Sequence, residues 1–213
     1  MSAIPTKEEM YRALEQRHGT EVQKRFSQAV VAICGLGGLG SNVAVALARA
    51  GVGTLILIDF DRVDISNLHR QQYLASQIGQ FKAQALSANL LEIAPYLKLV
   101  PHTVRVTRDN LAGLLRDADV ICEAFDRAEE KAALVNGVLE EFPEKYLVSA
   151  SGMAGFSSAN QIRTRRVAGR FYLCGDEVSD VSDGIGLVSS RVAACAAHQA
   201  HMVLRILMGE TEP

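Results

Sequence analysis

Apolar residues fall in short, β-branched runs separated by longer stretches of helical spacing, and the alternation holds through residue 150. Residues 29–34 and Thr54–Ile58 read as buried parallel strands, because they lack the polar alternation of a half-exposed strand. Ahead of them, residues 7–17 put Met10 and Leu14 on one helix face, with Gly19 as the stop. Ser41 is placed to open a helix running to Ala50, which Gly51 and Gly53 end. Lys82–Ile93 is a helix stopped by Pro95. Residues 97–106 are a strand that Pro101 relegates to an edge. A short helix over 109–116 takes Asp109 as its cap. Val120–Glu123 and Tyr146–Ala150 are strands, with the helix Ala128–Glu141 between them.

This order predicts an α/β fold: a Rossmann-like, doubly wound, mostly parallel sheet with right-handed crossovers. After Gly152 the pattern changes. Residues 158–167 and 171–174 are strands with no helix between them, so an antiparallel extension is expected. A polar, Gly- and Asp-rich loop over 175–187 leads to a long C-terminal helix, Ser189–Met208. No repeat or linker divides the chain. The expectation is one domain over 1–213: an N-terminal helical segment over 1–28, a nucleotide-binding core over 29–150, and the strands, crossover loop and last helix over 151–213.

Composition narrows the class. With 213 residues, 48% hydrophobic and 22% charged, the chain has the make-up of a soluble globular domain. A net charge of -2 provides no field for nucleic acid or an anionic membrane. The polar N-terminus has no apolar signal core, and no apolar run is long enough to span a bilayer, so the cytoplasm is expected. Cys34, Cys122, Cys174 and Cys195 form no C-x-x-C pair.

Chemistry is concentrated between Val31 and Lys82. Gly35, Gly37 and Gly40 fit G-x-G-x-x-G between a strand and a helix, with Gly38 inside the turn. Such a turn lets backbone approach a phosphate at a helix N-terminus. Asp59 closes the second strand, where a carboxylate can bond ribose hydroxyls. These features alone do not choose between NAD and ATP. Asp61, Asn67, Arg70, Gln71 and Lys82 follow at the same sheet edge, and cations there suit a triphosphate better than a nicotinamide. Too little chain follows the sheet for the separate catalytic domain of a typical NAD-dependent oxidoreductase. Asp126 ends the run VICEAFD at that edge and can hold Mg²⁺ against phosphate oxygens.

Taken together, Gly35-Leu36-Gly37-Gly38-Leu39-Gly40-Ser41, Asp59-Phe60-Asp61, Ser66-Asn67-Leu68-His69-Arg70-Gln71 and Lys82-Ala83 resemble the ThiF/MoeB group of ubiquitin-activating-enzyme-like adenylyltransferases. The resemblance runs from about residue 17 to the C-terminal helix. It implies binding of ATP·Mg²⁺ and adenylation of the C-terminal Gly-Gly carboxylate of a small ubiquitin-like sulfur carrier. By the same resemblance Asp59 holds the ribose. Asn67, Arg70, Gln71 and Lys82 surround the phosphates, and Asp126 positions Mg²⁺. Members are commonly homodimers in which an N-terminal arginine reaches the partner's triphosphate; Arg17 is the counterpart here. The Arg17-His18-Gly19 and Tyr172-Leu173-Cys174-Gly175-Asp176 elements are similar to a short subgroup from thiamine-pathway settings. Larger members carry two C-x-x-C pairs for zinc, so zinc is not expected here. Cys174 is the counterpart of a sulfur-transfer cysteine.

Carboxylates at Asp176, Glu177, Asp180 and Asp183 suggest a mobile crossover over the carrier's tail. Within the fold, the alternatives are a molybdopterin-type carrier or a tRNA-modifying relative. Outside it stand the NAD-dependent oxidoreductase and a non-catalytic scaffold that binds a ubiquitin-like partner.

Overall fold

β-Branched, apolar Val30–Cys34 forms β1, and both of its faces are covered. Val31 and Ile33 pack into one hydrophobic cluster, while Ala32 and Cys34 pack into another on the opposite side. The computed structural model describes residues 4–213. Around β1 lie β2 (Thr54–Ile58), β3 (Lys98–His102), β4 (Val120–Glu123), β5 (Tyr146–Ala150), β6 (Arg163–Ala168) and β7 (Phe171–Gly175). They form one sheet of order β3-β2-β1-β4-β5-β7-β6. All neighbours are parallel except β6, which runs antiparallel to β7. The strand order reverses between β1 and β4, and the crevice beyond their carboxyl ends is the switch point where α/β sheets take ligands.

Helices α3 (Gly38–Ala50), α4 (Lys82–Ile93) and α7 (Ser189–Met208) cover one face, with Val43, Leu86 and Val203 in the larger cluster. On the other face lie α5 (Arg108–Leu115) and α6 (Ala128–Glu141), with Leu111 and Leu134 in the smaller one. Helices α1 (Lys7–His18) and α2 (Thr20–Gln28) sit at the C-terminal end of α3: the Gln23 amide donates to Gly51 O at 3.3 Å. Arg25 donates to Met208 O at 2.7 Å, tying α2 to the end of α7.

Several local expectations are corrected. Gly19 does stop α1, but at φ +92° it redirects the chain straight into α2. Helix α3 begins at Gly38, because Ser41 bonds back to Gly37 O within the first turn rather than capping it. The N-cap of α5 is Thr107, not Asp109: Thr107 N donates to Asn110 Oδ1 at 2.8 Å, one half of a capping box. Edge strand β3 ends at His102, short of residue 106. Residues 159–161 form a single 3-10 turn, so β6 starts only at Arg163. The antiparallel extension is therefore the single edge strand β6, while β7 inserts beside β5 in parallel.

Candidate functional site

The first glycines shape a turn that no larger residue could make. Gly35 has φ +91°, and a Cβ there would lie 2.7 Å from Ala124 O, in the turn after β4. A Cβ on Gly40 would collide with the Gly35 carbonyl oxygen. Gly37 stands at the N-cap of α3 and offers no side chain to the first-turn amides, so those donors face the crevice. Gly38 packs under Val192 of α7, and the C-terminal helix thereby roofs the turn. Asp59, the residue after β2, braces it by accepting from Leu36 N at 2.7 Å, and Tyr73 Oη donates to Leu36 O at 2.7 Å.

Three charges meet beside the turn. Asp59 is buried, and its second oxygen accepts from Asp61 N at 2.8 Å. Burial pushes its carboxyl up, opposed by Lys82 and by the Leu36 and Asp61 amides. Lys82 opens α4 and is itself buried, with Nζ 3.0 Å from Asp61 and 3.9 Å from Asp59. The Asp61 side chain is half exposed, so this ionic group opens to the crevice.

The segment from Asn67 to Gln72 lies along the first turn of α3. Asn42 Nδ2 donates to Gly38 O at 2.6 Å and to Arg70 O at 3.1 Å. Gln72 N donates to Ser41 Oγ at 3.1 Å. Arg70 donates to Asn67 Oδ1 at 2.9 Å, while burial lowers its guanidinium and the nearby charge of Asp126 opposes that shift. Two buried atoms here have no hydrogen-bond partner: Arg70 Nε and Gln71 Oε1. An unmet polar group inside a fold is costly, so a polar ligand beside them would be favoured. Asn42 and Tyr73 carry no motif in the sequence, although Asn42, next to Ser41, is a polar residue ahead of the apolar run over 43–48.

Asp126 lies in the turn after β4, exposed and within the electrostatic reach of Arg70. The structure thus brings Gly35, Gly37, Gly38, Gly40, Asp59, Asp61, Asn67, Arg70, Gln71, Lys82 and Asp126 to one sheet edge. Phosphate oxygens fit the donors, namely Arg70, Lys82 and the first-turn amides of α3. A single carboxylate, Asp126, suits Mg²⁺, which takes one or two carboxylates with phosphate oxygens and water. No cluster of three or more His, Cys, Asp or Glu suited to a metal exists among the described residues.

Arg17 and Cys174 stand apart from this edge; for Arg17, expected to serve a partner's site, that agrees with the expectation's geometry without testing it. Arg17 is exposed on α1, beside the far end of α3, about 20 Å from the turn at 1.5 Å per helical residue. It cannot join the site of its own chain. Cys174 is fully buried in β7, 3.5 Å from Thr164 Oγ1, and burial pushes its thiol up to about 11. Buried inside the sheet with its thiol pushed up, Cys174 is not an exposed nucleophile in this fold.

The carboxylates of the expected crossover loop are tied into the fold. Asp176 pairs with buried Arg191 of α7 and accepts from Val178 N and Ser179 N, each at 2.9 Å. Burial pushes its carboxyl up, but those amides, the Ser179 hydroxyl and Arg191 bring it down to about 2. Arg191 also donates to Ala154 O at 2.5 Å. Glu177 pairs with Arg165, and Asp180 accepts from Ser182 N at 2.8 Å. The Asp183 side chain lies outside the described residues.

Comparison with known proteins follows the same lines. The sequence profile of the ThiF family matches residues 11–213. A sulfur carrier protein adenylyltransferase from Thermus thermophilus is 35% identical over 149 residues, 68% of this chain and 50% of that protein. The adenylyltransferase and sulfurtransferase MOCS3 of Caenorhabditis briggsae is 37% identical over 121 residues, 56% of this chain and 30% of that protein. The chain thus matches half or less of the length of these curated relatives. Among solved structures, the E. coli tRNA N6-threonylcarbamoyladenosine dehydratase TcdA, in complex with ATP, superimposes with a TM-score of 0.86 at 22% identity, covering 98% of each chain. At that identity the likeness shows the fold alone. No helix among the described residues is long and apolar enough to cross a membrane.

Proposed function

The chain belongs to the ThiF family, and from that premise we propose that it adenylates the C-terminal carboxylate of a small ubiquitin-like sulfur carrier, using ATP and Mg²⁺ and releasing pyrophosphate. The observation that carries this is Arg70 Nε, a buried donor with no partner, beside buried Lys82 and the glycine turn; Gln71 Oε1, a buried acceptor with no partner, suits a hydroxyl or amino group of the nucleoside. Cationic and amide donors gathered at a helix N-terminus suit a polyphosphate.

A carrier carboxylate is already ionised near pH 7, so its attack on the α-phosphorus needs no general base. A carboxylate oxygen bonds to the α-phosphorus, the bond to the bridging oxygen breaks, and pyrophosphate departs with the electron pair. The barrier is electrostatic, because an anion must approach a triphosphate. Arg70, Lys82 and the first-turn amides of α3 offset that charge, and Asn67 and Gln71 orient the phosphates. Asp59 holds the ribose. Asp126 would hold Mg²⁺, which would add charge neutralisation at the phosphate oxygens.

Carrier docking is supported by an apolar surface at the same end. Exposed Phe156, Val178, Val181 and Ile185 stand on two loops tied together by the Gly155 N to Gly186 O bond of 3.0 Å. Such a patch fits a protein partner better than solvent. Arg17 acts across a homodimer, since its own turn is out of reach. The carrier ends in Gly-Gly and belongs to thiamine synthesis in the cytoplasm, as the motifs of the short subgroup imply. A second reading, action on tRNA, is prompted by the fold shared with the tRNA dehydratase over the whole of both chains.

The test is incubation of the protein with Mg-ATP and either a Gly-Gly carrier or tRNA, read by intact mass and by ATP–pyrophosphate exchange. Carrier adenylate and carrier-dependent exchange are expected. Absence of both with every Gly-Gly carrier tried, alongside ATP consumption with tRNA, would move the assignment to the second reading.

A further inference from the structure

Behind exposed Asp126 lies a buried charge that the adenylation chemistry does not use. Glu123 ends β4, and its side chain is completely buried. It accepts from Lys131 Nζ at 2.5 Å, from Phe125 N at 2.7 Å and from the Ser149 hydroxyl. Lys131 lies in the first turns of α6 and also donates to Ala150 O, at the end of β5, at 2.9 Å. Gln199 of α7 donates to Glu123 O and Val148 O, both at 2.8 Å. The chain between β4 and α6 is only four residues, Ala124 to Arg127, and Asp126 is the third of them. Its entry is held by Glu123 through the Phe125 amide. Its exit is held by Lys131, whose amide bonds to Arg127 O at 2.9 Å and whose ammonium returns to Glu123.

Stability alone does not account for this pair. The preceding residues Val120, Ile121 and Cys122 are apolar and buried, and an apolar residue would continue the strand. Replacing a buried ion pair by packed apolar residues is often neutral or stabilising. What the pair adds is a fixed turn. That turn carries Asp126 on one side and, through Ala124 O, presses against Gly35 on the other.

We propose that Glu123 and Lys131 are positioning residues that set Asp126 for the divalent cation; this rests on the adenylyltransferase reading. Neither touches the reacting atoms.

The test compares wild type with Glu123→Gln, the apolar double variant Glu123→Met/Lys131→Met, and Asp126→Ala. Measured are Mn²⁺ affinity in the presence of α,β-methylene-ATP, by electron paramagnetic resonance; analogue affinity in EDTA; and the thermal midpoint. Glu123→Gln and the double variant should each weaken Mn²⁺ by about 10-fold or more, as losses of supporting partners at metal sites do, with analogue affinity in EDTA unchanged. The double variant keeps the test sound where the single one folds poorly. An unchanged Mn²⁺ affinity in the folded double variant, with loss in Asp126→Ala, would overturn the positioning role and leave the enzyme reading intact. Wild type that binds no Mn²⁺ with the analogue would remove both.

Discussion

Lys82 and Lys131 each lie at the head of a helix and each meets a carboxylate at the end of the nearest strand, yet the two pairs are finished differently. Lys82 sits between Asp59 and Asp61, the Asp61 side chain is half exposed, and neighbouring Arg70 and Gln71 keep unpartnered buried atoms. Glu123 is sealed, with three donors on its two oxygens, and Lys131 has a second acceptor in Ala150 O. The open arrangement is a place prepared for a ligand. In the closed one both charged side chains are fully paired without a ligand, although Gln199 Oε1 beside it has no hydrogen-bond partner, and it serves by holding a turn. The degree of polar satisfaction, not charge or burial alone, separates the two roles.

The largest effect expected is on catalysis at the open pair. Arg70→Ala and Lys82→Ala should each lower carrier-dependent pyrophosphate exchange by about 1,000-fold, with the fold retained by circular dichroism. Near-wild-type exchange in both would erase the contrast. Next comes Lys131→Met, which strands the buried Glu123 carboxylate. Chemical denaturation should find a loss of about 3 kcal/mol, more than for Lys82→Met, whose nearer partner Asp61 reaches water and whose buried partner Asp59, 3.9 Å away, keeps the Leu36 and Asp61 amides. Equal losses would mean that the two pairs are equivalent.

Gly40→Ala should cost about 1–3 kcal/mol, because its Cβ must displace the Gly35 carbonyl, and the same variant should weaken ATP binding. Acid then separates the crossover loop from both pairs. The Asp176 carboxyl is near 2 in the fold against about 3.9 in an unfolded chain. A depressed value means that its stabilising contribution is complete above about pH 4 and is lost as pH falls through about 2. Asp176→Asn should therefore flatten the acid limb of an unfolding titration in that window; an unchanged limb would show that the Arg191 pairing does not anchor the loop. The smallest effect belongs to Cys174. Cys174→Ala should leave exchange unaltered, and iodoacetamide should not label Cys174 in the folded protein.

Much of this was legible because it is local. The glycine turn, Asp59 and the Asn67–Lys82 cluster lie within one unbroken stretch, where strand, turn and helix signals adjoin the chemistry. Asp126 was legible because it closes an apolar run, and the parallel order brings such run-ends to one edge. Glu123 gave a signal in the same run, a charge among apolar residues, but its meaning depends on Lys131, Ser149 and Gln199, which are distant in sequence. The anchoring of Asp176 gave no signal in the sequence, because its partner, Arg191, is contributed by a helix that folds back. Cys174 stood beside a polar loop in sequence, yet strand pairing on both sides and α7 above it bury the thiol.

By itself the sequence determined the α/β class, the order of the elements from β1 to α7, the glycine turn and the polar residues adjoining it in the chain, because those follow from short-range periodicity and from sterics within a few residues. The tertiary structure alone decided which charges are satisfied and which are left open, that the last helix roofs the glycine turn, and that Arg17 is too far away to serve its own chain. Those outcomes depend on desolvation and on contacts between segments far apart along the chain, which no local pattern encodes.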